Sequence, residues 1–235
     1  MSKLLAFDVW GQYGHFKKIY TTTSPLTYSI PPRTAVTGLI GAIIGLDKTE
    51  YIRHFTKQDA EIAIRLLNPV KKVTLSENLI DTKKAGLMMN VIKQRTQIRI
   101  ELLKDPRFRI YLRHSDQTLM EKLTKYLEEH RSVYTPCLGL SEHIANFRMA
   151  GTHEAEDVLG EEKIQAVTAV PENKIREMEF EIDLEYVQEN MPNEMNSDRV
   201  VTEYTSVILE QQAQPIKALV SDHVRLDSGE CIVFL

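Results

Sequence analysis

Cysteine is scarce in this chain of 235 residues, and no apolar run is long. Each scarcity excludes something. Cys137 and Cys231 lie far apart with no metal-ligand spacing, so reduced thiols in a cytoplasm are expected. The opening MSKLLAFDVWGQ has too short an apolar run for a secretory signal and carries Asp8 within it. Nothing reaches the roughly 20 apolar residues of a membrane-spanning helix. The nearest approach, PPRTAVTGLIGAIIG from Pro31 to Gly45, ends at Leu46, before Asp47, Lys48 and Glu50. It also lacks the lysine and hydroxyl that a phosphate-binding loop places after its last glycine. The seven histidines are scattered, with no HExxH and no Cys/His cluster, so neither a metal nor another cofactor is expected. Gly139-Leu140-Ser141-Glu142-His143 lacks the second glycine of a nucleophile elbow.

What is present suits a soluble globular protein of one or two domains, with 43% apolar and 26% charged residues. The net charge of −4 conceals an asymmetry. Residues 1–114 hold 19 Lys and Arg against 9 Asp and Glu, a balance of +10, whereas residues 115–235 hold 10 against 24, a balance of −14. A basic half joined to an acidic half points to a polyanion on one side and to a protein neighbour or plain solubility on the other. A chance distribution of solvated charges is the bland alternative.

Along the chain, Leu4 to Trp10 reads as a strand and Pro31 to Gly45 as a buried helix. Pro31 and Pro32 hold its approach extended, and Thr34 is expected to cap its first turn. Gly38, Gly41 and Gly45 share one face, which predicts close packing against a sheet. AEIAIRLLNPVKKVTLSENLI alternates as one or two strands, and QIRIELLKDPRFRIYLRH as two strands around Lys104-Asp105-Pro106. On the second, Arg107, Arg109, Tyr111 and Arg113 point away from Phe108, Ile110 and Leu112. SDQTLMEKLTKYLEEHRS is an amphipathic helix capped by Asp116, with Leu119, Leu123 and Leu127 on its apolar face. The order strand, helix, strand, strand, helix predicts an α+β, ferredoxin-like unit of the kind that includes the RNA-recognition motif.

Basic residues interleaved with aromatics in the first half favour single-stranded RNA, since cations hold phosphates and flat side chains stack on bases. His15, His114 and His143, with Tyr13, Tyr20 and Lys17, are candidates for a metal-free ribonuclease by general acid–base chemistry. A histidine on a binding surface is more often a contact than a catalyst.

Four stretches in fixed order, LLAFDVWGQYGHFKK, SPLTYSIPPRTAVTGLIGAIIG, KQRTQIRIELLKDPRFRIYLRH and YTPCLGLSEHIANF, resemble the Cas-five family of CRISPR-associated proteins, within the RAMP superfamily. The closing CIVFL is also similar. The resemblance implies a ferredoxin-like RAMP domain over residues 1–150 with a β-hairpin thumb at about 81–95. An acidic, strand-rich part, 151–235, is expected to pack on it. It further implies a non-catalytic subunit that binds the 5′ handle of the guide crRNA and caps a type I Cascade effector in antiviral defence. Length and motif style are closest to type I-B. The implied partners are a Cas-seven family backbone subunit, a Cas-eight family large subunit and, through the assembled complex, target DNA, with no membrane. The implied RNA contacts are His15, Lys17, Lys18, Arg33, Thr34, Arg95, Gly139, Ser141 and His143, joined by the thumb residues Lys83, Lys84, Leu87, Met88, Met89 and Lys93. One branch of the family cuts precursor crRNA with a Tyr/Lys/His site; this chain has no adjacent Lys-His pair after its second strand region. A crRNA-processing endoribonuclease is therefore the runner-up, and a stand-alone RNA-binding regulator the third reading.

Overall fold

The computed structural model describes residues 2–80 and 95–235. Lys83, Lys84, Leu87, Met88, Met89 and Lys93 lie outside the described residues. β1 (Ser2–Trp10) alternates its side chains, sending Leu5, Phe7 and Val9 into the main core. The two-residue β2 (Tyr13–Gly14) leads to a loop, and α1 (Arg33–Ile44) and the short α2 (Tyr51–His54) follow. β3 (Ala60–Leu66), β4 (Lys72–Ile80), β5 (Arg95–Lys104) and β6 (Arg107–His114) precede α3 (Gln117–Glu128). The 21-residue β7 (Asn146–Ala166) crosses residue 150 without a break. Then come β8 (Val170–Pro171), β9 (Ile175–Met178), β10 (Tyr186–Met195), β11 (Val201–Glu210), β12 (Ile216–Leu226) and β13 (Cys231–Ile232).

Seven strands form the main sheet in the order β3-β6-β1-β7-β13-β12-β9. β7 pairs with β1 over Asn146–Ala155 and with β12 over Ala155–Ala166, so one strand carries both parts of the chain in one sheet. β10-β11-β8 and β2-β5-β4 make two smaller sheets. The core lies between the main sheet and the helices. Ile40 and Ile43 of α1 and Leu123 of α3 are fully buried there with Phe7, Phe108 and Leu112. Each such side chain contributes about 1.5–3 kcal/mol when removed from water. α3 forms as its period predicts: the Asp116 carboxylate accepts from the amides of Thr118 and Leu119, and Leu119, Leu123 and Leu127 are buried.

α1 departs from expectation at its start and along its glycine face. Pro32, not Thr34, is its N-cap, and Thr34 sits within the first turn, its carbonyl accepting from the Thr37 hydroxyl. The glycine face meets α2 rather than a sheet. Gly38 and Gly41 lie against the Tyr51 side chain, and a Cβ on Gly41 would stand 3.1 Å from that of Tyr51. Gly45 ends the helix in the left-handed conformation (φ 77°) beside Val133.

The basic and acidic halves are in part each other's counterions. Lys18 pairs with Glu189 at 2.9 Å, Lys57 with Glu203 at 2.7 Å, Arg65 with Glu230 at 2.5 Å and Arg113 with Asp157 at 2.8 Å.

Candidate nucleic-acid interface

β4 and β5 run antiparallel from Lys72↔Leu103 to Ile80↔Arg95, and their outer ends are exposed on both faces. At their base, β2 joins β5 by pairing Tyr13 with Lys104 and Gly14 with Leu103. The chain then turns under the loop 138–143. The His15 amide donates to the Leu138 carbonyl at 2.9 Å, and Leu138 closes its own loop by donating to the His143 carbonyl at 2.7 Å. Gly139 is in the left-handed region (φ 91°) and lies on the His15 backbone.

Beyond this loop a groove of about 510 Å³ runs along the outer side of α1. Its walls include Thr34, Gly38, Tyr51, Tyr134, Gly139 and Arg199. Two separately expected contacts, Thr34 at the helix start and Gly139 in the loop, therefore share one concavity. The small residues Gly38 and Ala42 leave the helix floor low, Tyr134 supplies an exposed aromatic ring, and Lys48 and Arg199 supply positive charge. Cys137 also lines the groove, and burial pushes its thiol up, away from the thiolate form.

The other expected residues divide by burial. Lys17 and Arg95 are exposed, as is Ser141, whose hydroxyl bonds the neighbouring Glu142 carboxylate. Arg33, expected beside RNA, is instead 2% exposed. Its guanidinium donates to the carbonyls of Asn193, Phe55, Thr56 and Ala60, so it ties α1 to the α2–β3 turn and to β10. An arginine here satisfies four backbone acceptors at once, which a surface role would leave open. Lys18 is likewise drawn inward, to the buried Glu189 and over the Tyr28 ring.

His15 and His143 come near enough for their charges to oppose each other, whereas His114 stands apart. His15 is buried, its Nδ1 2.7 Å from the Glu101 carbonyl; burial holds it below the usual histidine range, the Glu101 hydrogen bond only partly opposing. His143 is buried with its ring tilted against Tyr13, and its Nε2 has no partner among the described residues. His114 lies at the far end of β6, where its Nδ1 accepts from the Asp116 amide and its Nε2 meets the His54 carbonyl. The arginines of β6 also find partners: Arg109 at Asp8, Arg113 at Glu61 and Asp157. Sequence reasoning did not single out Tyr51, Tyr134 or Arg199. Arg199 reaches the groove from the turn between β10 and β11, a closure that no local pattern announces. Among the described residues no group of three His, Cys, Asp or Glu side chains could hold a metal ion, and no helix is long and apolar enough to cross a membrane.

Comparison with solved structures places this architecture. A CRISPR protein from Archaeoglobus fulgidus superposes with a TM-score of 0.61 at 14% identity, covering 99% of this chain and 98% of that one. A chain of a CRISPR RNA-guided surveillance complex gives 0.56 at 11% identity, covering 92% and 91%. A chain of the Type III-B Cmr-beta complex bound to cognate target RNA and AMPPnP gives 0.50 at 9% identity, covering 90% and 86%. A search of curated proteins gives no match. The sequence model described as CRISPR-associated protein (Cas_Cas5) matches residues 4–215, nearly the whole chain, and the chain belongs to that family.

Proposed function

We propose that the chain is a non-catalytic subunit of a type I CRISPR effector that binds the 5′ handle of the guide crRNA and caps the complex. The observation that carries this reading is the continuous surface from the β4–β5 ribbon, through the loop 138–143, to the α1 groove that Thr34 and Gly139 share. The strand order β3-β6-β1-β7, with α1 and α3 on one face, supports a ferredoxin-like unit. The exposed β4–β5 ribbon supports the thumb expected at about 81–95. The likeness to a chain of a surveillance complex supports work within an assembly. On this reading a Cas-seven family backbone subunit and a Cas-eight family large subunit adjoin the chain, in a cytoplasmic, type I-B complex that meets target DNA.

Non-catalytic is the better reading because acid–base cleavage of RNA needs two titrating groups at one phosphate. His15 and His143 come near each other, but both are buried and His15 spends its Nδ1 on the Glu101 carbonyl; His114 spends its ring nitrogens on backbone groups at the opposite end of β6 from Arg107 and β2. The deciding experiment is incubation of the purified protein with repeat RNA in EDTA, alongside equilibrium binding of the mature handle. Handle binding without cleavage is expected. Charge reversal at Lys83, Lys84 and Lys93 should weaken it and flatten its salt dependence by about 0.7 per lost phosphate contact. Metal-free cutting at one site, abolished by alanine at His15, His114 or His143, would favour the endoribonuclease.

A further inference from the structure

The sheet face turned away from α1 and α3 carries a second basic feature. Cross-strand register sets Arg65 opposite Arg109, Arg109 opposite Asp8, and Asp8 opposite Arg148, a row across four strands. Asp8 is 1% exposed. It accepts from Arg109 through both oxygens, Nε at 2.7 Å and Nη2 at 3.3 Å, and from Arg148 Nη2 at 3.2 Å. Arg107 Nη2 lies 3.8 Å away, and its guanidinium also covers the Trp10 ring at 5.6 Å. Burial pushes the Asp8 carboxyl up, but the Arg109 hydrogen bond and charge, with Arg148 and Arg107, outweigh it and keep the group ionised.

One carboxylate thus serves three guanidiniums, leaving a surplus of two positive charges. The surplus is directed outward: the Arg107 and Arg148 side chains are 45% and 61% exposed, whereas Arg109 is 25% exposed. Burying an ion beneath arginines is a weak source of stability, because desolvation offsets the attraction. What such an ion does achieve is to fix the planar forks above it, and a fixed fork matches two oxygens of a phosphate. Trp10 adds a flat, half-buried ring beside them.

We propose that Arg107 and Arg148, held by Asp8 and flanked by Trp10, form a docking site for the phosphodiester backbone of a nucleic acid, on the opposite face of the sheet from the α1 groove. Asp8 and Arg109 are positioning residues; Arg107 and Arg148 touch the phosphates, and Trp10 stacks on a base. Trp10 pairs with Asn146, just after the loop 138–143, so the site lies at the same end of the sheet as that loop.

Trp10 is the sole tryptophan, so the intact protein reports on its own site. The probes are a short mixed-sequence single-stranded RNA and a DNA duplex of the same sequence. Each is followed by tryptophan emission and by anisotropy of the labelled strand across a salt series. Emission should change in step with binding. Arg107→Ala with Arg148→Ala should weaken binding several-fold and flatten the single-strand salt slope by about 1.4, two phosphates at about 0.7 each. The paired lysine variant, Arg107→Lys with Arg148→Lys, should keep the slope and lose part of the affinity. The single strand should bind better, because Trp10 stacks on an unpaired base; preference for the duplex would overturn the stacking role. Undiminished binding by a folded alanine variant, or saturation with tryptophan emission unmoved, would overturn the site. If the alanine variant does not fold, emission from the unaltered protein decides. An equal emission response to polyglutamate would also overturn it, in favour of an acidic polypeptide. Lys17→Glu, in the loop after β2, with Arg99→Glu, on β5, should lower RNA affinity while the emission response persists, so failure of the surface under the proposed function and failure here are read separately.

Discussion

Gly139 rests on the carbonyl oxygen of His15, so closely that a Cβ added at residue 139 would stand 1.9 Å from it. Backbone cannot yield there as a flexible side chain would, and φ of 91° already disfavours any L side chain. Gly139→Ala should cost on the order of 1–3 kcal/mol as backbone strain or loop displacement. Thermal melting checks this, and a variant that melts like the parent would show that the loop slides freely over His15.

The α1 glycine face makes a paired prediction. Gly41→Leu drives a side chain into Tyr51 and should destabilise by roughly 1–3 kcal/mol. Because Tyr51 is the obstacle, adding Tyr51→Ala should recover part of the loss, giving a coupling energy in a double-mutant cycle. Strictly additive losses would mean that the strain lies elsewhere.

Acid should loosen the fold through two histidines. Burial depresses both His15 and His223; the Glu101 hydrogen bond opposes this at His15, and Glu162, 3.7 Å from His223 Nε2, opposes it there without prevailing. Unfolded histidine titrates near 6.5. As pH falls below that value the unfolded chain takes up protons that the native side chains resist. Their contribution is complete above about 6.5 and is lost as pH drops toward the native values. Urea midpoints measured from neutral to mildly acidic pH should decline, and His223→Leu should flatten the decline. It should do so with little loss at neutral pH, since both ring nitrogens are buried without a hydrogen-bond partner among the described residues.

Glu189 joins the two halves of the sequence. It is 3% exposed and accepts from the Ser29 amide at 2.8 Å, from the Ser29 hydroxyl at 3.2 Å and from Lys18 at 2.9 Å. Glu189→Ala strands the Lys18 charge and the Ser29 amide. Urea unfolding should show a loss of about 3–5 kcal/mol, the range for breaking a buried pair from one side. A loss within a few tenths would mean that water replaces the carboxylate.

What was legible in the sequence was what depends on local period and local chemistry. α3 was readable to its cap because Asp116 and the leucines act within one helix. The β5–β6 turn was readable because alternation stops at Asp105-Pro106, and Asp105 takes φ of 49° there. The charge row on the far side of the sheet was half visible. Asp8 inside LLAFDVW is a charge in a buried run and demands partners, yet Arg109 and Arg148 are fixed only by strand register. Arg33 and Lys18 look in sequence like any cation near a helix start or loop. Their burial is decided by β10, whose Asn193 carbonyl and Glu189 reach them from across the molecule.

The long β7 also sets a timetable. Trp10 has to wait for Asn146, and Ser2 for Ala155, before β1 gains its second neighbour. While the ribosome adds the intervening residues, one side of β1 remains an unpaired edge, open to mispairing. Non-local closure of this kind is slow. The sheet therefore cannot close on that side of β1 until β7 is available to pair with it.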